Sequence, residues 1–263
     1  MVNIEEINEK NKSLVLASLR SDITRHVFAV YDIQNDPQHT TTYAAFVNGS
    51  LKGYILIYAA TDVPSVVLEC EDNVAEKLVE HAPTSNFIAH APPNLLPALK
   101  KRFPDAKHYG EDWMLVKKNA ARFFKSDLVR RLHTDEDSLK LANLLLSRKD
   151  RPTNMQKKYA DWISKMPVYG VFRDGQLVSY AGSFIQLPQV WLIGGVYTHP
   201  EHRNRGYATL ATSTITEEAL KTSEAAALFA RSDNYPAIKA YEKIGYRKIG
   251  EKVWVDVGTG LKP

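Results

Sequence analysis

Short apolar segments recur along the chain, each bounded by turn residues, and most of them show the patterning of β-strands. In the first half, strands are predicted at residues 26–33, 42–47, 51–58, 87–90 and 113–116. The spacing of apolar positions at residues 13–20 and 94–103 predicts two helices. The dipeptide Asn48-Gly49 predicts a tight hairpin turn. The first half is therefore predicted to combine a sheet with helices.

The second half repeats this order, with a hairpin turn predicted at Asp174-Gly175. Its predicted strands are residues 128–132, 169–172, 177–185, 190–197, 228–231 and 253–257, and its predicted helices are residues 138–148, 154–166, 234–244 and a segment that ends near Lys221. The repetition predicts a duplicated α/β unit, with chance similarity of patterning as the alternative. Residues 117–126 connect the halves, so the predicted domains are 1–122 and 123–263.

Composition and charge limit the class of protein to which the chain can belong. The chain has 263 residues, of which 44% are hydrophobic and 24% are charged, so one large or two ordinary domains with real cores are expected. The 34 basic and 30 acidic residues leave a net charge of +4, which predicts no nucleic-acid partner. No apolar run reaches the ~20 residues of a membrane span, so no membrane partner is expected.

The N-terminus and the cysteine content bear on the cellular compartment. The first residues lack the basic and apolar regions of a signal peptide. Cys70 is the single cysteine, which excludes an internal disulfide and favours a reducing, cytoplasmic location. Because a lone cysteine in a strand-like run usually packs as a small apolar side chain, catalysis by Cys70 is not expected.

Residues 203–208, with the sequence Arg-Asn-Arg-Gly-Tyr-Ala, carry the most specific chemistry in the chain. They follow a predicted strand and turn, and they precede a predicted helix. At such a junction the loop amides and the N–H groups of the first helical turn converge, and the helix dipole adds about half a positive charge. Gly206 allows a positive φ or the close approach of a ligand. The segment is therefore predicted to hold a phosphate or pyrophosphate.

A second pattern follows the predicted strand at residues 228–231. If residues 234–244 are helical, Asn234, Ala237 and Tyr241 share one face, because they are spaced i, i+3 and i+7. That face presents an amide, a small residue and a phenol in a row. Structural alternatives exist, since Asn234 could be only a helix N-cap and Tyr241 could be only a packing residue.

Together, the two patterns resemble the signatures of the GNAT superfamily of acyl-CoA-dependent N-acyltransferases. The family's Arg/Gln-x-x-Gly-x-Gly/Ala is matched by Arg203, Gly206 and Ala208, and its Asn-x-x-Ala-x-x-x-Tyr-x-x-x-Gly-Phe/Tyr is matched by Asn234, Ala237, Tyr241, Gly245 and Tyr246. The match covers residues 127–258. The whole layout is also similar to that of glycine N-acyltransferase and its relatives, in which a degenerate GNAT-like domain comes first. An acidic segment at residues 69–73 is interpreted as a loop that opposes phosphate binding, which agrees with a first domain without a cofactor site.

The resemblance implies an α/β (α+β) GNAT fold in tandem, with mixed, mostly antiparallel twisted sheets flanked by helices. It also implies acetyl-CoA or another acyl-CoA as co-substrate and no metal. Tyr241 would be the catalytic acid that protonates the leaving thiolate, and backbone N–H groups of the fourth strand would stabilise the oxyanion. The implied cofactor-binding residues are Val196, Tyr197, Thr198, Arg203, Asn204, Arg205, Gly206, Tyr207, Ala208, Asn234 and Ala237.

The general base departs from the family pattern. Many relatives carry a glutamate eleven residues before the first Arg/Gln, and Leu192 occupies that position here. Tyr197, His199 or a water molecule could substitute, or the amine could arrive already neutral. The eight histidines show no metal-ligand spacing, and no Gly-x-Ser-x-Gly motif predicts covalent catalysis.

The resulting expectation is an enzyme that transfers an acetyl or small acyl group from CoA to a primary amine of a small molecule or amino acid by direct attack. A non-catalytic acyl-CoA sensor or regulatory module is the alternative that Leu192 favours. Transfer to a protein N-terminus or to lysine is a third hypothesis, and a homodimer is left open.

Overall fold

The computed structural model describes residues 2–148 and 156–260. The chain divides into two compact units, one formed by Met1–Asp112 with Gly250–Pro263 and the other by Trp113–Ile249. This division differs from the predicted boundary between residues 122 and 123, most clearly at the C-terminus. The last strand was predicted to belong to the second domain. It groups with the first unit because Val253 to Val257 pair antiparallel with a strand of that unit.

The first unit has a mixed sheet. Strand β1 pairs antiparallel with β2, β2 with β3, and β3 with β4, whereas β4 and β5 are parallel. The strands are β1 (Val2–Glu6), β2 (Thr40–Val47), β3 (Ser50–Tyr58), β4 (Ser65–Cys70), β5 (Phe87–Ala91) and β6 (Lys107–Lys117). The helices are α1 (Lys12–Leu19), α2 (Val27–Asn35), α3 (Asp72–Val79) and α4 (Leu96–Arg102).

The second unit repeats the same order and the same strand directions. Strand β7 pairs antiparallel with β8, β8 with β9, and β9 with β10, whereas β10 and β11 are parallel. The strands are β7 (Val129–Arg131), β8 (Val168–Arg173), β9 (Gln176–Gln186), β10 (Val190–Thr198) and β11 (Ala225–Arg231). The last strand, β12 (Arg247–Val257), begins in this unit and belongs to the first unit from Gly250 onward. The helices are α5 (Asp135–Leu146), α6 (Gln156–Lys165), α7 (Tyr207–Thr222) and α8 (Tyr235–Ile244). Mixed, mostly antiparallel sheets flanked by helices confirm the predicted fold class. Part of the helix predicted at residues 154–166 lies outside the described residues.

The strand predicted at residues 26–33 is wrong, because this segment forms helix α2. Its β-branched residues suggested a strand, but Val27, Val30 and Ile33 are spaced three apart and all become buried on one side of a helix. The tertiary burial of this face outweighs the weak local preference for a strand.

Residues 69–73 do not form the acidic loop that the sequence suggested. Glu69 and Cys70 are the last residues of β4, and α3 begins at Asp72. Glu69 is buried with 2% exposure and therefore belongs to the interior rather than to a solvated loop. Strands β1 and β4 and helix α3 were missed by the sequence reading.

Two separate apolar clusters pack in the second unit. One contains α7 side chains such as Ile215 against strand residues such as Leu228 and against Tyr246. The other brings Leu141 of α5 and Ile163 of α6 together over the strands that precede β10. Burial of each of these large side chains contributes roughly 1.5–3 kcal/mol, and it fixes the strands whose C-terminal ends form the site described next.

Candidate functional site

β10 and β11 pair in parallel at their beginnings and then separate. Val190, Trp191 and Leu192 lie opposite Ala225, Ala226 and Ala227, whereas β10 continues to Thr198. On the side that faces β11, the backbone groups of residues 193–198 therefore lie outside the parallel ladder. Such groups can bond an extended ligand in the way that an added strand is bonded. This stretch contains the expected residues Val196, Tyr197 and Thr198.

β10 is also bulged where the two strands separate. Its register against β9 shifts between Leu192 and Ile193 and again between Gly194 and Tyr197. Gly195 has a φ of 65°, a conformation that favours glycine. A bulge leaves residues unpaired and turns the strand, so it releases backbone N–H groups beside the point of separation.

The segment 203–208 joins β10 to α7, as expected from the sequence. Asn204 has a φ of 61° and Gly206 a φ of 80°, and α7 begins at Tyr207. Left-handed residues in such a loop direct successive N–H groups to one side. The first turn of α7, which contains Ala208, adds N–H groups that lack an acceptor within the helix. A Cβ at Gly206 would meet no atom within 4 Å, so the backbone conformation, not crowding, requires glycine there.

The side chains of this loop differ in the groups that they can present to a ligand. Arg203 donates a hydrogen bond from Nε to the Thr198 carbonyl at 3.3 Å, which ties the loop to the end of β10. Asn204 and Arg205 are exposed. The Tyr207 ring is buried in the core of the second unit, so Tyr207 can offer a ligand little more than its amide.

Asn234 is the N-cap of α8, in agreement with one of the alternatives drawn from the sequence. Its side chain accepts a hydrogen bond from the Ala237 N–H at 3.3 Å, and the residue is exposed. Because the amide group of Asn234 also carries two N–H donors, capping leaves it able to contact a ligand. Gly245 caps the C-terminus of α8, and its φ of 108° is the left-handed conformation typical of such a cap.

Tyr241 lies on α8 one turn beyond Ala237 and is buried, with 6% exposure. Its ring meets that of Tyr246 edge to face, with centroids 6.1 Å apart. Burial raises the pKa of Tyr241 well above its ordinary value. The phenol therefore stays protonated throughout the physiological pH range and can act as a hydrogen-bond donor.

Three positions bear on the general base: Leu192, Tyr197 and His199. Leu192 is 2% exposed and apolar. His199 accepts a hydrogen bond at Nδ1 from the Glu201 N–H at 3.4 Å, which makes it part of the turn after β10. The Tyr197 hydroxyl lies 2.8 Å from the Ser147 hydroxyl and is therefore hydrogen-bonded.

Sequence reasoning missed the aromatic side chains beside the β10 bulge. Trp162 of α6 and Tyr180 and Phe184 of β9 lie against Gly194 and Gly195. The available signal was the glycine pair within β10, because glycine inside a strand often marks a bulge or the close approach of another group.

The first unit differs from the second at the corresponding point. Beyond the last parallel pair of β4 and β5, the second and third residues are Glu69 and Cys70, where β10 has two glycines. Glu69 is buried and forms ion pairs with Arg25, at 2.8 Å, and with Lys252. Burial raises the pKa of Cys70 to about 12, so this thiol is not activated as a nucleophile.

Within residues 2–148 and 156–260, no group of three or more His, Cys, Asp or Glu side chains is arranged to hold a metal ion. In the same part of the chain, every helix is too short or insufficiently apolar to cross a membrane.

Part of the chain matches a family model. A family model described as FR47-like protein matches residues 168–255, a segment that runs from β8 into β12 and contains both motifs. No curated protein sequence matches the chain.

Solved structures match nearly the whole chain. An X-ray structure of a Drosophila protein matches with a TM-score of 0.73 and 14% identity, over 97% of this chain and 98% of that one. A GCN5-related N-acetyltransferase from Kribbella flavida matches with a TM-score of 0.65 and 16% identity, over 90% and 95%. A tandem GNAT protein from the clavulanic acid biosynthesis pathway matches with a TM-score of 0.62 and 13% identity, over 100% of both chains. The chain therefore has the fold of these tandem GNAT structures, which confirms the fold that the resemblance of the two motifs implied.

Proposed function

We propose that the second unit transfers an acetyl or small acyl group from CoA to a primary amine of a small molecule or amino acid. The separation of β10 from β11 carries this proposal. Because the two strands are parallel, the loop after β10 and Asn234 after β11 lie at the same edge of the sheet, on either side of the gap. Ligands of sheets that contain parallel strands bind at such an edge.

The elements around the gap suit different parts of an acyl-CoA. The amides of residues 203–208 and the dipole of α7 would hold the pyrophosphate. The backbone of β10 from Val196 to Thr198 would bond the extended pantetheine arm. Asn234 would reach the same arm from the other side, and the small side chain of Ala237 would leave room for it.

The transfer itself needs one bond made and one broken. The neutral amine nitrogen attacks the thioester carbonyl carbon, a C–N bond forms, and the C–S bond breaks. The nitrogen loses a proton and the sulfur gains one. Tyr241 would donate a hydrogen bond to the sulfur as negative charge develops there. Backbone N–H groups of the β10 bulge would stabilise the negative charge on the carbonyl oxygen.

We further propose that the first unit is a degenerate GNAT-like domain without a cofactor site. At the corresponding strand end it carries the buried ion cluster of Glu69, Arg25 and Lys252 in place of a glycine-rich bulge. Glu71 and Asp72 also lie at the start of α3, where their negative charges would repel an anionic ligand.

Thiol release tests the proposed function. The full chain is incubated with acetyl-CoA and with panels of amino acids, polyamines and peptides, and free thiol is followed with time. Acceptor-dependent release that Tyr241→Phe strongly reduces would support a transferase. The peptide panel separates small-molecule acceptors from protein N-termini and lysines.

A second candidate is an acyl-CoA-binding sensor without turnover. The observation that favours it is the buried, apolar Leu192 at the position of the family's glutamate. Tight binding of acetyl-CoA without acceptor-dependent thiol release from any panel would establish this candidate and exclude the transferase.

A further inference from the structure

Three aromatic rings of the second unit contact one another, and we call this cluster the aromatic wall: Trp162, Tyr180 and Phe184. The Trp162 and Phe184 rings are stacked, with centroids 5.4 Å apart and planes 19° apart. Trp162 and Tyr180 meet edge to face at 6.1 Å. The Trp162 indole donates a hydrogen bond to the Ser183 carbonyl at 3.1 Å, which fixes the orientation of the ring.

The aromatic wall lies directly on the β10 bulge. A Cβ built on Gly194 would lie 2.3 Å from a ring carbon of Phe184. A Cβ built on Gly195 would lie 3.2 Å from Trp162 and from Tyr180. The rings therefore approach the backbone of β10 as closely as glycine allows, at the point where the proposed function places the thioester carbonyl.

Tyr180 is buried, with 4% exposure, but the other two rings of the aromatic wall remain partly exposed. Phe184 keeps 47% of its surface exposed, and Trp162 is half-buried. An aromatic ring beside the reacting strand, with part of its face open, can stack against a flat aromatic ligand.

We propose that the aromatic wall selects a weakly basic aromatic amine, of the aniline class, as the acceptor. This inference rests on the proposed function and specifies its substrate. The ring of the acceptor would pack against Phe184 and Trp162, which would direct its amino group toward the β10 bulge.

The buried, apolar Leu192 supports the same substrate class, because the amine nitrogen must be neutral when it attacks the thioester. An alkylamine with a pKa of ~10.4 is neutral in only about one molecule in 2,500 at pH 7, so it needs a base close to the thioester. In an aromatic amine the nitrogen lone pair is delocalised into the ring, and the amine is already neutral at this pH. A site with an apolar residue in place of the glutamate is therefore suited to the aromatic amine.

Charged side chains on the neighbouring segments have contacts of their own. Arg148 lies over the Tyr197 ring, 5.4 Å from its centre. Asp161 and Lys165 of α6 pair with each other at 2.7 Å and are both exposed.

Matched acceptors test the inference. Aniline and cyclohexylamine have rings of equal size but differ in basicity and in aromaticity. Acetyl-CoA-dependent thiol release by the full chain is measured with each of them between pH 6 and pH 9. At pH 7, kcat/KM for aniline is expected to exceed that for cyclohexylamine by about 100-fold, and to change little with pH, since its amine is neutral throughout. Equal or faster turnover of cyclohexylamine at pH 7 would overturn the inference.

A variant of Phe184 distinguishes the contribution of ring stacking from the contribution of the acceptor's basicity. Phe184→Leu keeps an apolar side chain but removes the ring, and it should lower kcat/KM for aniline by about three- to ten-fold through KM. The dissociation constant for acetyl-CoA should stay the same. Phe123→Leu is the matched control, because Phe123 is also a partly exposed phenylalanine of the second unit but lies outside the wall, and it should change neither value. Equal effects of the two variants would contradict the role of the wall.

The failures of the two proposals can be distinguished. Thiol release with alkylamines but not with aniline would overturn the aromatic acceptor and leave the transferase intact. Absence of release with every acceptor, despite binding of acetyl-CoA, would overturn both.

Discussion

Leu192 and Ala227 form the last parallel pair between β10 and β11. Up to this pair the two strands share a ladder, and beyond it β10 turns away through the Gly194–Gly195 bulge. Leu192 thus ends the shared ladder and places a buried, apolar side chain at the point where the strands separate. We infer that binding at this gap depends mainly on the backbone, and that few side chains take part in the chemistry.

The glycine in the loop before α7 offers a controlled test of anion binding. Gly206→Ala forces a left-handed conformation on alanine and should cost about 1–2 kcal/mol of unfolding free energy, measured by chemical denaturation. It should also weaken acetyl-CoA binding at least about ten-fold, because the loop amides shift.

Gly175→Ala is the matched control for this loop. Gly175 has a φ of 78° against 80° at Gly206, and a Cβ meets nothing within 4 Å at either position. The control should lose similar stability but keep its affinity for acetyl-CoA. An equal loss of affinity in both variants would show that the loop acts only through stability.

Asn234 can be tested separately as a cap and as a ligand contact. Asn234→Ala removes the acceptor for the Ala237 N–H and should cost about 1 kcal/mol of stability. Asn234→Ser keeps a capping oxygen but is shorter and lacks the amide donors. We expect Asn234→Ser to retain most of the stability while the KM for acetyl-CoA rises about three- to ten-fold. An unchanged KM would show that Asn234 acts only as the N-cap of α8.

Tyr241→Phe should lower kcat by about 100-fold or more if the phenol assists departure of the thiolate. Because burial raises the pKa of Tyr241, its ionisation should not appear as a decline in rate near pH 10 in the wild-type profile.

Tyr246→Phe provides the comparison for Tyr241. Tyr246 is buried, and its hydroxyl lies 2.8 Å from the Thr216 hydroxyl. Losing that hydrogen bond should cost about 1 kcal/mol of stability while kcat is retained. A similar fall in kcat for both variants would mean that Tyr241 only packs.

The fold and much of the candidate site could be predicted from the sequence because their signals are local. Asn48-Gly49 and Asp174-Gly175 are hairpin turns with positive φ at both residues of each turn, as their residue types require. Gly206 and Asn234 stand at helix N-termini, where spacing and capping chemistry are visible in a single segment.

What the sequence did not reveal depends on contacts between distant segments. Val27, Val30 and Ile33 have strand propensity, and only burial against other elements makes that segment a helix. Phe184 lies against Gly194 and Trp162 lies against Gly195, and because these residues are distant in the chain, nothing local indicates that the rings cover the β10 glycines. Likewise, Glu69 was read as a solvated acid because its partner Lys252 lies near the other end of the sequence.

Part of the loss of unfolding free energy at low pH should arise from His26. Burial, and then the charge of Arg25, lower the pKa of His26 to about 4, against an unfolded value of 6.5. Between these pH values the unfolded state binds more protons, so the unfolding free energy falls as the pH is lowered from about 6.5 to about 4. After allowance for partial exposure of the ring, the contribution should be about 1–2 kcal/mol.

The measurement compares wild type with His26→Gln by urea denaturation across this pH range. The variant should lose this part of the pH dependence, whereas His108→Gln, at an exposed position, should retain it. Identical pH profiles for wild type and His26→Gln would contradict the assignment.

The chain should bind acyl-CoA at a single site, which lies in the second unit. Isothermal titration of the full chain with acetyl-CoA measures both the number of sites and the affinity. The prediction is one site per chain, with affinity reduced by Gly206→Ala and unchanged by Gly175→Ala. No binding, or two equivalent sites per chain, would contradict it.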